Sequence, residues 1–341
     1  MPGASWWVGD HRGAVATGVS GLAAREPAPR PVRDDTPFDL ASLTKPLATA
    51  LLATILDREG VFSLDRPLGE VFEELRQTAF GPATLRDAAA HRAGFPAWVP
   101  LYLSGTTRDD YVAAIARCQP ARPRGETLYS DLGYVLLGIS VERASGMPLD
   151  RVFEARVARP LALARCGYPS ASRLFPDAAA TSRDRSYERE FAGIAENSDR
   201  FRAEVPPGQV NDGNAWGLGG VAGHAGLFGT AADVAAIALA LLDPPRLGLP
   251  EDALDVMLLP VADGEHGRTV GFLRALDSDS VRGVLPDDAV GQLGFTGTSV
   301  WIDKALPRAY VLLTNRVHPR VPKEPFTSTR RAFHALAAAL P

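Results

Sequence analysis

The chain has 341 residues and a mass of 36.3 kDa, with 46% apolar and 22% charged residues. That length fits one large domain or two intimate ones, and the composition excludes disorder as the dominant state. A net charge of −4 leaves no basic field for a phosphate backbone, so no nucleic-acid partner is expected.

Cys118 and Cys166 are the only cysteines, too few for a disulfide framework or a cysteine zinc cluster, and both are expected to be reduced core residues. The apolar run Pro46 to Leu56 is too short to span a bilayer and reads as a buried helix, so no membrane association is expected. The opening stretch MPGASWWVGDHRG lacks a basic region followed by an apolar one. As written the chain is expected to be cytoplasmic; an exported chain trimmed of its leader would read the same. Of 36 basic residues only Lys45, Lys304 and Lys323 are lysines, so a lysine marks a place where arginine cannot serve.

In chain order, Ser5 to Val8 and Gly13 to Gly18 read as strands around a polar turn. Pro27 to Pro37 reads as an irregular connection. Ser42 to Arg58 has helical apolar spacing, stopped at Glu59-Gly60. Helices follow at Thr84 to His91, Arg108 to Arg117, Leu132 to Ser145 and Asp150 to Ala158. The mixture of charges from Arg183 to Arg202 reads as a solvated surface loop. Asn211 to Gly229 is glycine-rich loop, and Ala231 to Leu242 a helix with Thr230 as N-cap. Strand-like segments return at Thr269 to Leu276, Thr298 to Asp303 and Ala309 to Thr314, before a last helix from Ser328 to Leu340. Strands at both ends and helices between them predict an α+β fold. Residues 1–63 and 230–341 would form a sheet domain, and 64–229 an inserted, mainly helical domain.

Three segments carry chemistry. In Ser42-Leu43-Thr44-Lys45 the hydroxyl and the amine share a helix face. A serine is a weak nucleophile until a base takes its proton, and a lysine can be that base only if its pKa falls. An N-cap serine followed by a solvated lysine would read the same. In Tyr129-Ser130-Asp131 the phenol can shuttle a proton and the carboxylate can hold the lysine or a substrate amide. A packing tyrosine and an aspartate capping a helix at Leu132 is the plainer alternative. The run Gln292 to Ser299 places small residues beside a strand, where a backbone N–H could serve an oxyanion; a glycine-rich hairpin would look alike.

These motifs together resemble the serine β-lactamase and penicillin-binding protein superfamily, in its class C and D-Ala-D-Ala carboxypeptidase-like branch. The likeness covers nearly the whole chain. Phe38 to Lys45 is similar to the nucleophile helix, Thr84-Leu85-Arg86 with His91 to Pro96 to the "TLRHLLTHxSGLP" segment, and Tyr129 to Tyr134 to "YSNxGY". Asn211 to Ala215, Leu218 to Phe228 and Leu312 to Pro319 resemble one subgroup. The resemblance implies a β-lactamase/transpeptidase-like fold, with an antiparallel sheet flanked by terminal helices. It implies that Ser42 forms an acyl-enzyme with Lys45 as base or relay, and that Tyr129 protonates the leaving group. Asp131, where Asn is usual, would orient Lys45 or substrate. The N–H groups of Ser42 and Phe295 would form the oxyanion hole.

The third motif departs from the family, whose Lys-Thr-Gly or His-Thr-Gly is here Gln292-Leu293-Gly294. The cation that helps hold a substrate carboxylate is gone, and Arg316 is a candidate replacement. His224, Asn214 and Asp212 are placed near the pocket by their glycine-rich loop. His91, His224 and His318 lack metal-binding spacing and are expected to be hydrogen-bonded loop histidines, so no metal is expected. Without a phosphate loop or a full dinucleotide fingerprint, no cofactor is expected either. The expected activity is hydrolysis of an ester or amide, as an esterase or a cell-wall-peptide amidase, on a small molecule or peptide fragment. A true β-lactamase and a catalytically weak ligand-binding relative are the alternatives.

Overall fold

A computed structural model describes residues 1–170, 173–194, 201–202, 204–261 and 267–341. Three strands come from the start of the chain: β1 (Gly3–Asp10), β2 (Gly13–Ala24) and β3 (Arg30–Pro31). A short pair, β4 (Phe38–Asp39) and β5 (Phe228–Gly229), ties the nucleophile segment to the glycine-rich loop. Four come from the last third: β6 (Leu273–Arg274), β7 (Val290–Leu293), β8 (Ser299–Asp303) and β9 (Arg308–Thr314). The first three and last four pair antiparallel in the order β3-β2-β1-β9-β8-β7-β6, so the two ends of the chain meet at β1 and β9.

Alternation along β8 and β9 gives the sheet two apolar faces. Val300, Ile302, Val311 and Leu313 join the large core on the side of the helix Ala231–Ala240. Trp301 and Tyr310 point the other way, into a smaller cluster with Ala337 of the helix Thr327–Ala338. The expected α+β architecture is present, with an antiparallel sheet and a mainly helical middle. One continuous core runs through both, from Leu47 and Leu51 to Tyr134, Leu227 and Val311. No helix among the described residues is long and apolar enough to cross a membrane.

Most of the predicted helices lie within a residue or three of their expected ends. Thr230 caps Ala231–Ala240 through a reciprocal box with Asp233, as Thr84 does with Asp87. Other segments differ, among them Asn211 to Gly229, where Gly213–Gly217 is helical and Phe228–Gly229 a strand. Ser42 to Arg58 is not one helix: Ala41–Leu43 is a tight turn, Lys45–Ala50 winds more widely, and only Leu51–Arg58 is regular. Thr269 to Leu276 contributes only β6, and β7 forms where no strand was assigned. Arg183 to Arg202 is not a solvated loop: Ser186–Ala192 is helical and Arg185 is buried, while 195–200 lie outside the described residues. Cys166 is buried and Cys118 half-buried, both unlinked.

The turn before Ser42 is strained. Ala41 sits at φ 49°, in the left-handed region that disfavours a side chain. Its N–H donates to Asp39 Oδ1 at 2.9 Å, and Asp39 Oδ2 accepts from Asn211 N at 2.7 Å. Burial pushes Asp39 up to about 6 against these two bonds. Asp39 thus pins the nucleophile turn to the loop opposite. Ala41→Gly is expected to raise stability by ~0.5–1 kcal/mol in urea unfolding, because relief of left-handed strain outweighs the entropy of glycine. Ala41→Val is expected to lower it.

Candidate active site

Four segments converge at one cavity of about 250 Å³, lined by Ser42, Tyr129, Asp131, Asp212, His224 and Phe295 among others. Ser42 is supplied by the strained turn. Lys45, one helical turn on, is wholly buried. Its Nζ donates to Ser42 Oγ at 2.9 Å and to the His224 carbonyl at 3.0 Å, and pairs with Asp131 Oδ1 at 2.7 Å. Three oxygens therefore surround an ammonium with three N–H groups.

Each partner has a local reason to be there. Ser130, not Asp131, caps the helix Asp131–Ser145, its Oγ accepting from Leu132 N at 3.2 Å. That frees Asp131 to face Lys45. The His224 carbonyl arrives because Gly223 packs against the same helix: a Cβ there would lie 2.0 Å from the Tyr134 carbonyl. Thr49 Oγ1 donates to the Gly223 carbonyl at 2.7 Å and fixes the crossing. The Lys45 pKa is not lowered, as a free amine base would need. Burial pushes it down, but Asp131 and then Tyr129 outweigh burial and raise it.

Tyr129 lies over this network, with Lys45 Nζ 5.0 Å from its ring centre. The guanidinium of half-buried Arg268 also stands 5.2 Å from the ring centre. His91 packs on Tyr129 at 4.4 Å between ring centres and accepts from Ser130 N at 3.0 Å. Burial, with Arg268 and Lys45 nearby, keeps that imidazole neutral. Gln292 is buried on β7, and its Nε2 donates to Tyr129 Oη at 3.2 Å. The residue that replaces the expected cation therefore braces the phenol.

The turn after β7 is built by close approach. A Cβ on Gly294 would fall 2.8 Å from the Leu40 carbonyl and 2.0 Å from Thr298 Oγ1, so only glycine fits. Buried Arg330 donates to the Gly294 and Thr298 carbonyls at 2.6 and 2.9 Å and holds the turn from behind. The amides of Ser42 and Phe295 have no protein acceptor among the described residues, and both residues border the cavity.

A scan against family models matches residues 1–332 to the model described as Beta-lactamase. The chain belongs to the beta-lactamase family. The protein named "Putative D-alanyl-D-alanine carboxypeptidase" of Escherichia coli (strain K12) is 30% identical over 310 residues, covering 84% of this chain and 70% of that one. Among solved structures, "EstCE1, a hydrolase with promiscuous acyltransferase activity" superposes with a TM-score of 0.76 at 20% identity, covering 100% of this chain and 94% of that one. A class C beta-lactamase from Rhodobacter sphaeroides gives 0.74 at 20% identity, covering 100% and 95%. The β-lactamase/transpeptidase-like fold is therefore shared. This chain is an enzyme of a hydrolase family.

Within this beta-lactamase-family site, the two remaining sequence candidates point elsewhere. Asn214 is wholly buried and holds the loop, donating to the Val99 carbonyl at 2.9 Å and accepting from Tyr102 N at 3.3 Å. It does not border the cavity. Arg316 stacks on Phe326, 5.3 Å from the ring centre, and does not border the cavity. It is no replacement cation. His224 Nε2 meets Asp212 Oδ1 at 2.7 Å, and His318 bonds Thr181 and Arg25, so these histidines are hydrogen-bonded loop residues. Asp131, Asp212 and His224 bring ligand atoms within 4.8 Å of one another, a spacing the sequence did not suggest. Asp131 already faces Lys45, and Asp212 already faces His224.

Sequence reasoning misses Arg268, Trp98, Tyr187 and Phe191, none of which belongs to a spaced motif. Tyr187 and Phe191 leave one trace, as aromatic residues among the charges of residues 183–191.

Asp131→Asn keeps an acceptor for Lys45 but removes the charge that holds it protonated. Lys45 must then lose its own proton before serine attack. At pH 7 kcat/KM is expected to fall about 10²-fold, the low end for lost base catalysis, with the acid limb moved to higher pH. An unmoved acid limb in the pH–rate profile would contradict the pairing.

Proposed function

We propose that this protein is an acyl-serine hydrolase that cleaves an ester or amide through an acyl-enzyme on Ser42. The observation that carries the proposal is the Lys45 contact to Ser42 Oγ at 2.9 Å, backed by Asp131 at 2.7 Å. Ser42 Oγ attacks the carbonyl carbon. Its proton passes to Lys45 Nζ as Lys45 gives one to Asp131, so Lys45 relays and the carboxylate is the terminal acceptor. The new oxyanion is received by the Ser42 and Phe295 amides. Collapse expels the leaving group, which takes a proton from Tyr129, and Gln292 steadies that phenol. Water then attacks the acyl carbon and the same groups run in reverse.

The carboxypeptidase name of the relatives supports a peptide substrate, and the loss of the third-motif cation argues against β-lactams. With Gln292 turned to Tyr129, the β7 edge offers no charge to a substrate carboxylate. Intact-protein mass after a fluorophosphonate is expected to show one adduct on wild type and none on Ser42→Ala. Nitrocefin turnover is expected to be no faster than that of Ser42→Ala. An unlabelled wild-type protein would overturn the hydrolase reading.

A further inference from the structure

The cavity in front of Ser42 has an uneven lining. One wall is aromatic: Trp98 and Phe191 lie 5.4 Å apart, Phe191 and Tyr187 6.2 Å, and Tyr187 and Phe295 5.6 Å, by ring centres. Three of these rings are conspicuously open to solvent, Phe191 at 64%, Tyr187 at 48% and Phe295 at 40%. A run of exposed rings at the mouth of a cleft is a surface waiting for an apolar occupant.

The rest of the lining carries four carboxylates, Asp131, Asp184, Glu188 and Asp212, against one arginine, Arg185. The side chains of Asp131 and Asp212 keep 16% and 23% of their surface, whereas those of Lys45 and Arg185 keep 0% and 3%. The neighbouring cations are committed. Lys45 faces Asp131, and Arg185 pairs with Glu188 and the Asn211 carbonyl. Arg202 bonds the Val210 and Asn211 carbonyls and stacks on Trp216, and rim Arg320 pairs with Asp184. Burial pushes Asp212 up, but His224, the Ala215 N–H and Arg185 outweigh it and hold the carboxyl well below the usual range. Asp212 is thus an anion at any working pH. Asp131 Oδ1 lies two hydrogen-bond lengths from Ser42 Oγ, through Lys45, and Asp212 is in the same cluster.

We propose that the substrate is an aminoacyl ester or amide, its free α-ammonium held at the Asp131–Asp212 wall and its apolar side chain on the Trp98–Phe191–Tyr187–Phe295 wall. This rests on the acyl-serine reading above. With the acyl carbon on Ser42, the α-nitrogen is two bonds away, within the cavity that Asp131 and Asp212 also line. Rings and carboxylates around one cavity favour an ammonium over a neutral or anionic group. Among the described residues that line the cavity Arg185 is the one arginine or lysine, and Glu188 already pairs with it, so a substrate carboxylate would meet mostly carboxylates.

The test is kcat/KM on three matched phenylalanine 4-nitroanilides, with a free amine, N-acetyl or N-succinyl, in both enantiomers. The free amine is expected to exceed N-acetyl by at least ~10-fold, with N-succinyl lowest, and the advantage to fade above pH ~8 as the ammonium deprotonates. Asp212→Asn is expected to narrow the amine-to-acetyl ratio towards one. In Ser42→Ala, phenylalanine amide is expected to raise Tm and N-acetylphenylalanine to leave it unchanged. A ratio unmoved in Asp212→Asn, or N-succinyl preferred by a protein whose Ser42 labels with a fluorophosphonate, would overturn the substrate class and leave the hydrolase reading standing. Absence of both labelling and turnover would overturn both.

Discussion

A cation buried without water must be surrounded by acceptors, and Lys45 organises the site through that requirement. Its three oxygen neighbours come from three parts of the chain: its own turn, the helix starting at Asp131, and the glycine-rich loop at His224. Each neighbour is placed by something further out. Asp39 holds the left-handed Ala41, Ser130 caps the helix so that Asp131 stays free, and Gly223 lets the loop touch that helix. The core that joins sheet and helices therefore fixes the distance between nucleophile and base. Removing one partner of such a pair typically costs about 3–5 kcal/mol, enough to couple folding to site geometry.

The same electrostatic demand separates this chain from a carboxylate-binding member of its family. An aspartate in the Asn position makes the resting lysine a permanent cation. A glutamine in the cation position leaves the β7 edge neutral and turns inward to the tyrosine. The first change offsets the lysine charge with a carboxylate, and the second leaves the β7 edge without a cation. On the proposed substrate reading, the aromatic wall would supply apolar contact, since burying each exposed ring removes apolar surface from water.

Much of this was legible from the chain. Ser42 and Lys45 stand out because i and i+3 share a helix face, and because lysine is rare here. The antiparallel sheet and most helices follow from periodicity and caps such as Thr230. What the sequence hid depends on tertiary contact. Nothing local marks an alanine at positive φ. Ser130 and Asp131 are both good N-caps, so only packing decides which is free to meet Lys45. The four residues of β7 include a glycine and a glutamine and look like loop. Arg183 to Arg202 reads as solvated because a charge signals burial only through its partners, here Glu188 and the Asn211 carbonyl for Arg185. Arg316 and Asn214 were suggested by neighbouring motifs, but their side chains are used by Phe326, Val99 and Tyr102.

Everything at the site turns on Lys45 resting as an ammonium and relaying protons to Asp131. With only three lysines in the chain, side-chain ¹⁵Nζ NMR can follow Lys45 directly. Its signal is expected to stay that of a protonated amine through neutral pH. A Lys45 signal that titrates near or below neutrality would contradict the relay, and would make the free amine the base.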